Sequence, residues 1–197
     1  MITTPTPWLI PHGESEGNIG AITHSPSSIQ LTEHGHQQAS RLAATFTAAP
    51  DLIVVSPYLR TQQTAAPLRV RFPHVPVEEW FVQEFTYLDT RAHAGTTEKQ
   101  RASFAQAYWQ RCDPYWRDGE GAESYADFIQ RIDLLEQRLH EHRGRWVVVF
   151  THGYFIKGVQ LRRENPAAKV DASLMESFRD SRRLGLTANT GVLRLSP

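Results

Sequence analysis

The sequence of 197 residues contains a single cysteine, Cys112, so an intrachain disulfide is excluded. No histidine-paired or small-residue motif surrounds this cysteine, and we interpret it as a bystander thiol rather than a nucleophile. No stretch approaches the roughly 20 apolar residues that span a bilayer. The N-terminal MITTPTPWLI carries no basic leader of the secretory type. These absences predict a cytoplasmic protein with no membrane partner.

An excess of charge of either sign is also absent. The 21 lysines and arginines balance the 21 aspartates and glutamates, so the net charge is zero with histidine neutral. A balanced chain gives no electrostatic argument for a nucleic acid as partner. Any attraction for a charged small molecule must therefore be local.

What the sequence does contain is an alternation of apolar runs and helical patterns. Strands are predicted at residues 8–10, 51–56, 75–81, 146–150 and 191–195, and helices after Thr32 and at residues 59–70, 98–116, 124–142 and 153–164. The alternation predicts an α/β protein, a three-layer α/β/α sandwich with a mainly parallel central sheet. We expect a single domain over residues 1–197.

Polar residues follow three of the predicted strands. His12 comes after the first, Arg60 shortly after the second, and His152 after the strongest apolar run, WVVVF. Since the ligand crevice of a parallel sheet lies at the carboxyl ends of its strands, we expect these side chains to converge. Two imidazoles and an arginine suit a metal, acyl transfer or a phosphate. No HxxxH or CxxC spacing favours a metal and no GxSxG elbow is present, so phosphate is favoured.

The motifs around these residues resemble those of the histidine phosphatase superfamily, in its phosphoglycerate-mutase-like phosphatase branch. They are PHGES with Asn18 beyond it, LTEHGHQQASRLA at residues 31–43, SPYLRTQQTA at residues 56–65, GAESYADFIQR at residues 121–131 and VVVFTHG at residues 147–153. They occur in the order that the family has, and the resemblance covers nearly the whole chain.

The resemblance implies a phosphohistidine mechanism without metal or organic cofactor. His12 would attack the phosphorus of a small phosphate ester, while His152 and Arg60 would hold the phosphoryl oxygens. A carboxylic acid, Glu84 in VQEFTYLD, would protonate the leaving oxygen and then activate water. Its neighbours Glu78, Glu79 and Asp89 are alternatives that we interpret as solvated loop carboxylates. The residues expected to bind substrate are Gly13, Ser15, Asn18 and Thr151.

The resemblance also implies a helical cap over the pocket at about residues 86–121. This segment is rich in aromatic residues, namely Tyr87, Tyr108, Trp109, Tyr115 and Trp116. Helix packing explains them, although rings above a phosphate site would also suit a ring-bearing leaving group. Mutases of the family resemble longer chains with a basic, glycine-bearing insertion after the catalytic glutamate. Residues 85–95 do not show that pattern, which argues against a mutase.

One position departs from the family. Pro11 stands where the family has an arginine that grips the phosphate, and proline supplies neither charge nor a side-chain hydrogen bond. A proline at the end of a strand is compatible with the fold. Nothing in the sequence brings Arg69, Arg162 or Arg163 into the gap. The sequence therefore predicts an impaired phosphomonoester hydrolase, or alternatively an inactive pseudophosphatase that binds a phosphorylated ligand or a protein. Natural divergence and an introduced substitution are both compatible with Pro11.

Overall fold

A single five-stranded sheet forms the centre of the computed structural model, which describes residues 5–196 apart from the Arg183 side chain. Residues 1–4 lie outside the described residues, and so does that part of the N-terminal MITTPTPWLI for which no secretory leader is predicted. The strands are β1 (Trp8–Pro11), β2 (Leu52–Val55), β3 (Val77–Glu79), β4 (Val147–Thr151) and β5 (Leu193–Arg194). Their order is β3-β2-β4-β1-β5, and only β5 runs antiparallel to its neighbour. The predicted, mainly parallel sheet is confirmed.

Helices cover both faces of this sheet. They are α1 (Glu33–Ala44), α2 (Leu59–Arg71), α3 (Glu98–Arg111), α4 (Tyr125–Glu141), α5 (Gly153–Glu164) and α6 (Ala172–Arg183). Leu42 of α1 and Leu68 of α2 pack against one face in one core cluster. Ile132 of α4, Val159 of α5 and Phe178 of α6 belong to a second cluster on the other face. The three-layer sandwich is therefore confirmed.

Two helices differ from the sequence-based prediction. Helix α3 ends at Arg111 rather than at Trp116, because Cys112 adopts a left-handed conformation with φ of 52° that stops it. Helix α6 was not predicted at all. Its start carries a signal that was available, since the Asp171 side chain caps the helix by accepting from the Leu174 amide.

Pro11 occupies the last position of β1 without breaking the sheet. Along β1 the backbone groups of alternate residues face opposite neighbours. The His12 amide donates to the Thr151 carbonyl of β4 at 3.1 Å, whereas the Pro11 carbonyl accepts from Thr190 on the other side. The amide hydrogen that proline lacks would thus have pointed toward the short strand β5 (Leu193–Arg194), and the pairing of β1 with β4 is intact.

Within residues 5–196, no helix combines the length and the apolar character needed to cross a membrane.

Candidate active site

Three neighbouring parallel strands end at the same edge of the sheet. His12 follows β1, Ser56 follows β2 and His152 follows β4, and these strands lie side by side in the order β2-β4-β1. The rings of His12 and His152 are 5.2 Å apart between centroids. The strand order therefore brings the two histidines together at the carboxyl edge of the sheet, as expected.

His12 presents an unprotonated nitrogen to a cavity. Its Nδ1 lies 2.7 Å from the Gly13 carbonyl oxygen, and because a carbonyl only accepts, Nδ1 carries the hydrogen and Nε2 the lone pair. The residue is 7% exposed. Burial, together with the positive charge of Arg60, lowers the pKa of His12 from 6.5 to about 3. The imidazole is therefore neutral at physiological pH, and its Nε2 is available as a nucleophile.

His152 is fully buried, and both of its ring nitrogens are engaged. Arg60 Nη2 donates to Nδ1 at 2.9 Å, so Nε2 carries the hydrogen and donates to Ser56 Oγ at 2.7 Å. Burial and the Arg60 charge hold the pKa of His152 well below its usual value. His152 does not reach the cavity wall. In this arrangement its hydrogen bond to the cavity lining is the one that it accepts from Arg60.

Arg60 is the cation nearest to the two histidines. It is the second residue of α2 and is 5% exposed. Its Nη1 donates to the Pro26 carbonyl at 2.6 Å. Its guanidinium also lies 5.0 Å from the centre of the Tyr58 ring. Desolvation lowers the pKa of Arg60 to about 10, partly offset by Glu84, so the side chain stays charged at neutral pH. A fixed cation beside His12 is suited to hold an anion.

Glu84 lies at the N-terminus of α5. Its carboxylate accepts from the amides of Tyr154 and Phe155, each at 3.2 Å, and from its neighbour Phe85 at 3.1 Å. Desolvation raises the pKa of Glu84, whereas Arg60 and these three amides lower it by stabilising the anion. The balance is a raised pKa. Such a carboxyl group can both donate and accept a proton.

The rival carboxylates lie elsewhere or are engaged. Glu78 accepts from the Trp80 indole at 2.8 Å and Glu79 from Gln62 at 3.4 Å, both outside the cavity. Asp89 lines the cavity, but its carboxylate accepts from the Arg91 amide.

Two residues of the GAESYADFIQR motif, Glu123 and Arg131, form hydrogen bonds to the backbone on both sides of Glu84. Arg131 pairs with Glu123 at 2.7 Å and donates to the carbonyls of Phe81 and Gln83, just before Glu84. Glu123 in turn accepts from the Thr86 amide, just after it. Sequence reasoning used this motif only as a resemblance. Its contacts give it the role of fixing the segment that carries Glu84.

The loop after His12 packs directly on the start of α1, which explains the LTEHG motif. Thr32 caps the helix by accepting from the Gly35 amide, and its hydroxyl donates to the Glu14 carboxylate at 2.7 Å. A Cβ at Gly35 would overlap with the Glu14 carbonyl oxygen, and one at Gly13 would lie 2.6 Å from the Gly35 carbonyl. Glycine is thus required at both positions for this close approach.

The predicted substrate-binding residues divide into two groups. Ser15 and Asn18 line the cavity, and the Ser15 hydroxyl donates to the Asn18 side chain at 3.0 Å. Gly13 and Thr151 are not on the wall: the Gly13 amide donates to Thr64 and the Thr151 hydroxyl to the Val82 carbonyl. The structure gives these two residues contacts that hold the backbone rather than contacts open to a ligand.

The cavity has a volume of about 610 Å³ and extends from His12, Arg60 and Glu84 to the side of α3. None of the three arginines considered as substitutes reaches it. Arg162 pairs with Asp133 at 2.8 Å, Arg163 pairs with Glu136 at 2.7 Å, and Arg69 is exposed on α2. Within residues 5–196, no group of three or more histidine, cysteine or acidic side chains is placed to hold a metal ion.

Two residues near the site were missed by sequence reasoning, and both come from the C-terminal part of the chain. The Asn189 amide donates to the His12 carbonyl at 2.9 Å. Arg182, in the last turn of α6, lines the cavity. No motif in the sequence marks either residue. The return of the chain past β1 brings Asn189 to the site, and the packing of α6 brings Arg182 there.

Known proteins with similar sequences share the family that the motifs resemble. The family model described as histidine phosphatase superfamily (branch 1) matches residues 8–168. The adenosylcobalamin/alpha-ribazole phosphatase of Salmonella typhimurium is 30% identical over 65% of this chain and 67% of its own length. The Salmonella typhi protein of that name is 29% identical over 64% of this chain and 63% of its own length.

A solved structure resembles the chain over almost its full extent. The mycobacterial glucosyl-3-phosphoglycerate phosphatase in complex with VO3 has a TM-score of 0.71 at 25% identity, over 98% of this chain and 91% of that one. The strand order, the two histidines at adjacent strand ends and the family match agree. The chain belongs to the histidine phosphatase superfamily, branch 1.

Proposed function

We propose that the protein is a phosphomonoester hydrolase that works through a phosphohistidine at His12. The observation that carries this proposal is the neutral His12 ring, whose free Nε2 shares a cavity with the Arg60 cation and the Glu84 carboxyl group. This set contains a nucleophile, a cation for the phosphoryl oxygens and a proton donor, the parts that the two-step reaction needs. The named relatives are phosphatases, which supports the same reaction class.

In the first step, Nε2 of His12 forms a bond to phosphorus as the bond to the ester oxygen breaks. The proton of Glu84 passes to that oxygen, and the alcohol leaves. In the second step, Glu84 takes a proton from water, and the resulting hydroxide displaces His12 from phosphorus. Arg60 holds the charge that develops on the phosphoryl oxygens. His152 positions Arg60 through the bond to its Nδ1.

The cap also belongs to this proposal. Residues 86–121 contribute much of the cavity wall through the segment after Glu84 and through α3, including Tyr87, Ala105 and Trp109. We take this segment as an insertion that covers the pocket of a single domain over residues 1–197. The substrate is then a small phosphate ester that enters between cap and sheet.

Pro11 weakens this machinery. The position lies beside His12 and is buried, and Arg69, Arg162 and Arg163 do not supply the missing charge. Loss of one preorganised donor to a transition-state anion costs about 10²–10³ in rate at comparable sites. We therefore expect slow turnover. The alternative, a pseudophosphatase that binds a phosphorylated ligand, is favoured by the same Pro11.

The test compares the protein with Pro11→Arg, His12→Ala and the double variant on 4-nitrophenyl phosphate. We expect Pro11→Arg to raise kcat/KM about 100-fold or more, and His12→Ala to abolish activity in both backgrounds. Acid-labile phosphate trapped on the protein, and absent from His12→Ala, would identify the phosphohistidine. A protein that never becomes labelled and whose Pro11→Arg variant stays at the His12→Ala background would be a binding protein instead.

A further inference from the structure

Arg182 lies on the cavity wall with its guanidinium against aromatic rings. The guanidinium carbon is 4.0 Å from the centre of the Trp109 ring on α3 and 4.5 Å from that of Tyr154 on α5. The helices α3, α5 and α6 therefore meet around one cation. Each of these three residues lines the cavity that also contains His12.

The hydrogen-bonding capacity of Arg182 is unused. Its Nε is buried and has no acceptor in the part of the chain that the structure describes. Over the same residues, the guanidinium forms no ion pair, in contrast to Arg162, Arg163 and Arg179. A buried donor without a partner is costly in free energy. Because Arg182 lines the cavity, an anion that enters it would meet a cation that has no ion-pair partner among the described residues.

The two other arginines on this wall, Arg60 and Arg101, already donate to protein groups. Arg101 donates from Nη1 to the Thr96 carbonyl at 2.7 Å and to the Thr96 and Thr23 hydroxyls. Arg60 donates to His152 and to the Pro26 carbonyl, and in the proposed mechanism its remaining donors serve the phosphoryl group. Among the arginines of this wall that the structure describes, Arg182 is thus the one whose side chain donates to no protein group.

The position of Arg182 relates it to the leaving group rather than to the phosphoryl group. The Tyr154 amide donates to Glu84, the proposed acid for the leaving oxygen, and the Tyr154 ring lies against Arg182. A substrate whose ester oxygen meets Glu84 would extend its alcohol portion toward Arg182. An anionic substituent there would meet the free guanidinium donors.

Four aromatic residues near the cap pack against protein groups. The guanidinium of Arg182 lies over Trp109 and Tyr154, while Arg111 lies 4.4 Å from the centre of the Trp116 ring. Tyr108 is 2% exposed in the core. These contacts occupy the four rings, whereas the Arg182 cation has no ion pair among the described residues and lines the cavity.

We propose that Arg182 forms a second anion subsite, which selects phosphate monoesters whose alcohol carries an anionic group, in the first instance a carboxylate. This inference rests on the proposed hydrolase function and adds its substrate class. Arginine recognises a carboxylate through paired N–H donors, and the low dielectric of a protein cavity strengthens such bonds.

The test uses pairs of alkyl phosphates of two to six carbons that end in either a hydroxyl or a carboxylate. We expect the protein to prefer the carboxylate member, measured as the ratio of kcat/KM values, by about tenfold or more at one chain length at least. Arg182→Gln should bring this ratio close to one, and Arg182→Lys should retain part of it. Arg179→Gln is the matched control on the same helix, because Arg179 pairs with Asp180 at 3.0 Å.

The outcomes separate the subsite from the hydrolase function. A ratio of one or less at every chain length, or a preference that survives Arg182→Gln, overturns the subsite. A purely structural role would lower both rates together and leave the ratio unchanged. If neither ester is hydrolysed, the hydrolase proposal fails, and calorimetric binding of the carboxylate esters to His12→Ala, with and without Arg182→Gln, decides the subsite.

Discussion

At the scale of single residues, the proposed role of Glu84 as proton donor predicts how activity depends on pH. Desolvation raises the pKa of Glu84, so the protonated form persists to higher pH than for an ordinary glutamate. An alkyl phosphate needs this proton for its leaving group, whereas 4-nitrophenolate leaves without one. We expect kcat/KM for an alkyl phosphate, divided by that for 4-nitrophenyl phosphate, to fall as pH rises through the pKa of Glu84. Ionisation of the phosphate itself is common to both esters.

Glu84→Gln supplies the control. It should lower turnover of the alkyl ester by about 10²–10⁴ and remove the pH dependence of the ratio. The fall of this ratio with pH does not arise from His12, because the pKa of about 3 leaves the His12 ring neutral over the measured range. A ratio that keeps its pH dependence in Glu84→Gln would assign the proton donor to another group, with Asp89 on the same wall the next to test.

At the scale of elements, the contact between the loop after His12 and helix α1 limits what Gly35 can become. Alanine inside a helix normally stabilises by about 1 kcal/mol relative to glycine. At Gly35 the added Cβ overlaps with the Glu14 carbonyl oxygen, so we expect Gly35→Ala to destabilise by about 1–3 kcal/mol. Urea unfolding measures the change. Gly17→Ala, whose Cβ would have its nearest neighbours at 3.7 Å, is the matched control.

The elements also show how much the sequence predicts. The strand ends that carry His12 and His152 were predictable, because a run such as WVVVF identifies a buried strand and parallel strands end at one edge. The fold class followed from the same alternation. Helix α3 was predicted too long because Cys112, rather than a glycine, takes the left-handed position that ends it.

The rest of the site depends on contacts between distant segments. Arg182 meets Trp109 and Tyr154 only once α3, α5 and α6 have packed. No local pattern encodes that meeting. The engagement of both nitrogens of His152 likewise depends on Ser56 and Arg60 from the neighbouring strand connection. Sequence motifs identify residue types at strand ends, but the partners of each side chain are set by packing.

At the scale of the whole molecule, two buried neutral histidines make stability depend on acid. Burial lowers the pKa of His12 to about 3 and that of His152 well below 6.5. The unfolded chain binds these protons near pH 6.5, whereas the folded protein does not. The stabilisation is therefore complete above pH 6.5 and is lost as pH falls toward the folded-state value. Each histidine contributes a slope of about 1.4 kcal/mol per pH unit below 6.5.

The free energy of unfolding should accordingly fall by about 2 kcal/mol per buried histidine between pH 6.5 and pH 5. Urea titrations at several pH values measure it, and His12→Asn should be less sensitive to acid than the unmodified protein by that amount. The raised pKa of Glu84 acts with the opposite sign, but it is present in both proteins and cancels in the comparison. His74→Asn, which changes an exposed histidine, is the control. Equal slopes for His12→Asn and the unmodified protein would mean that the His12 ring accepts a proton in the folded state. That result would contradict a neutral His12 nucleophile.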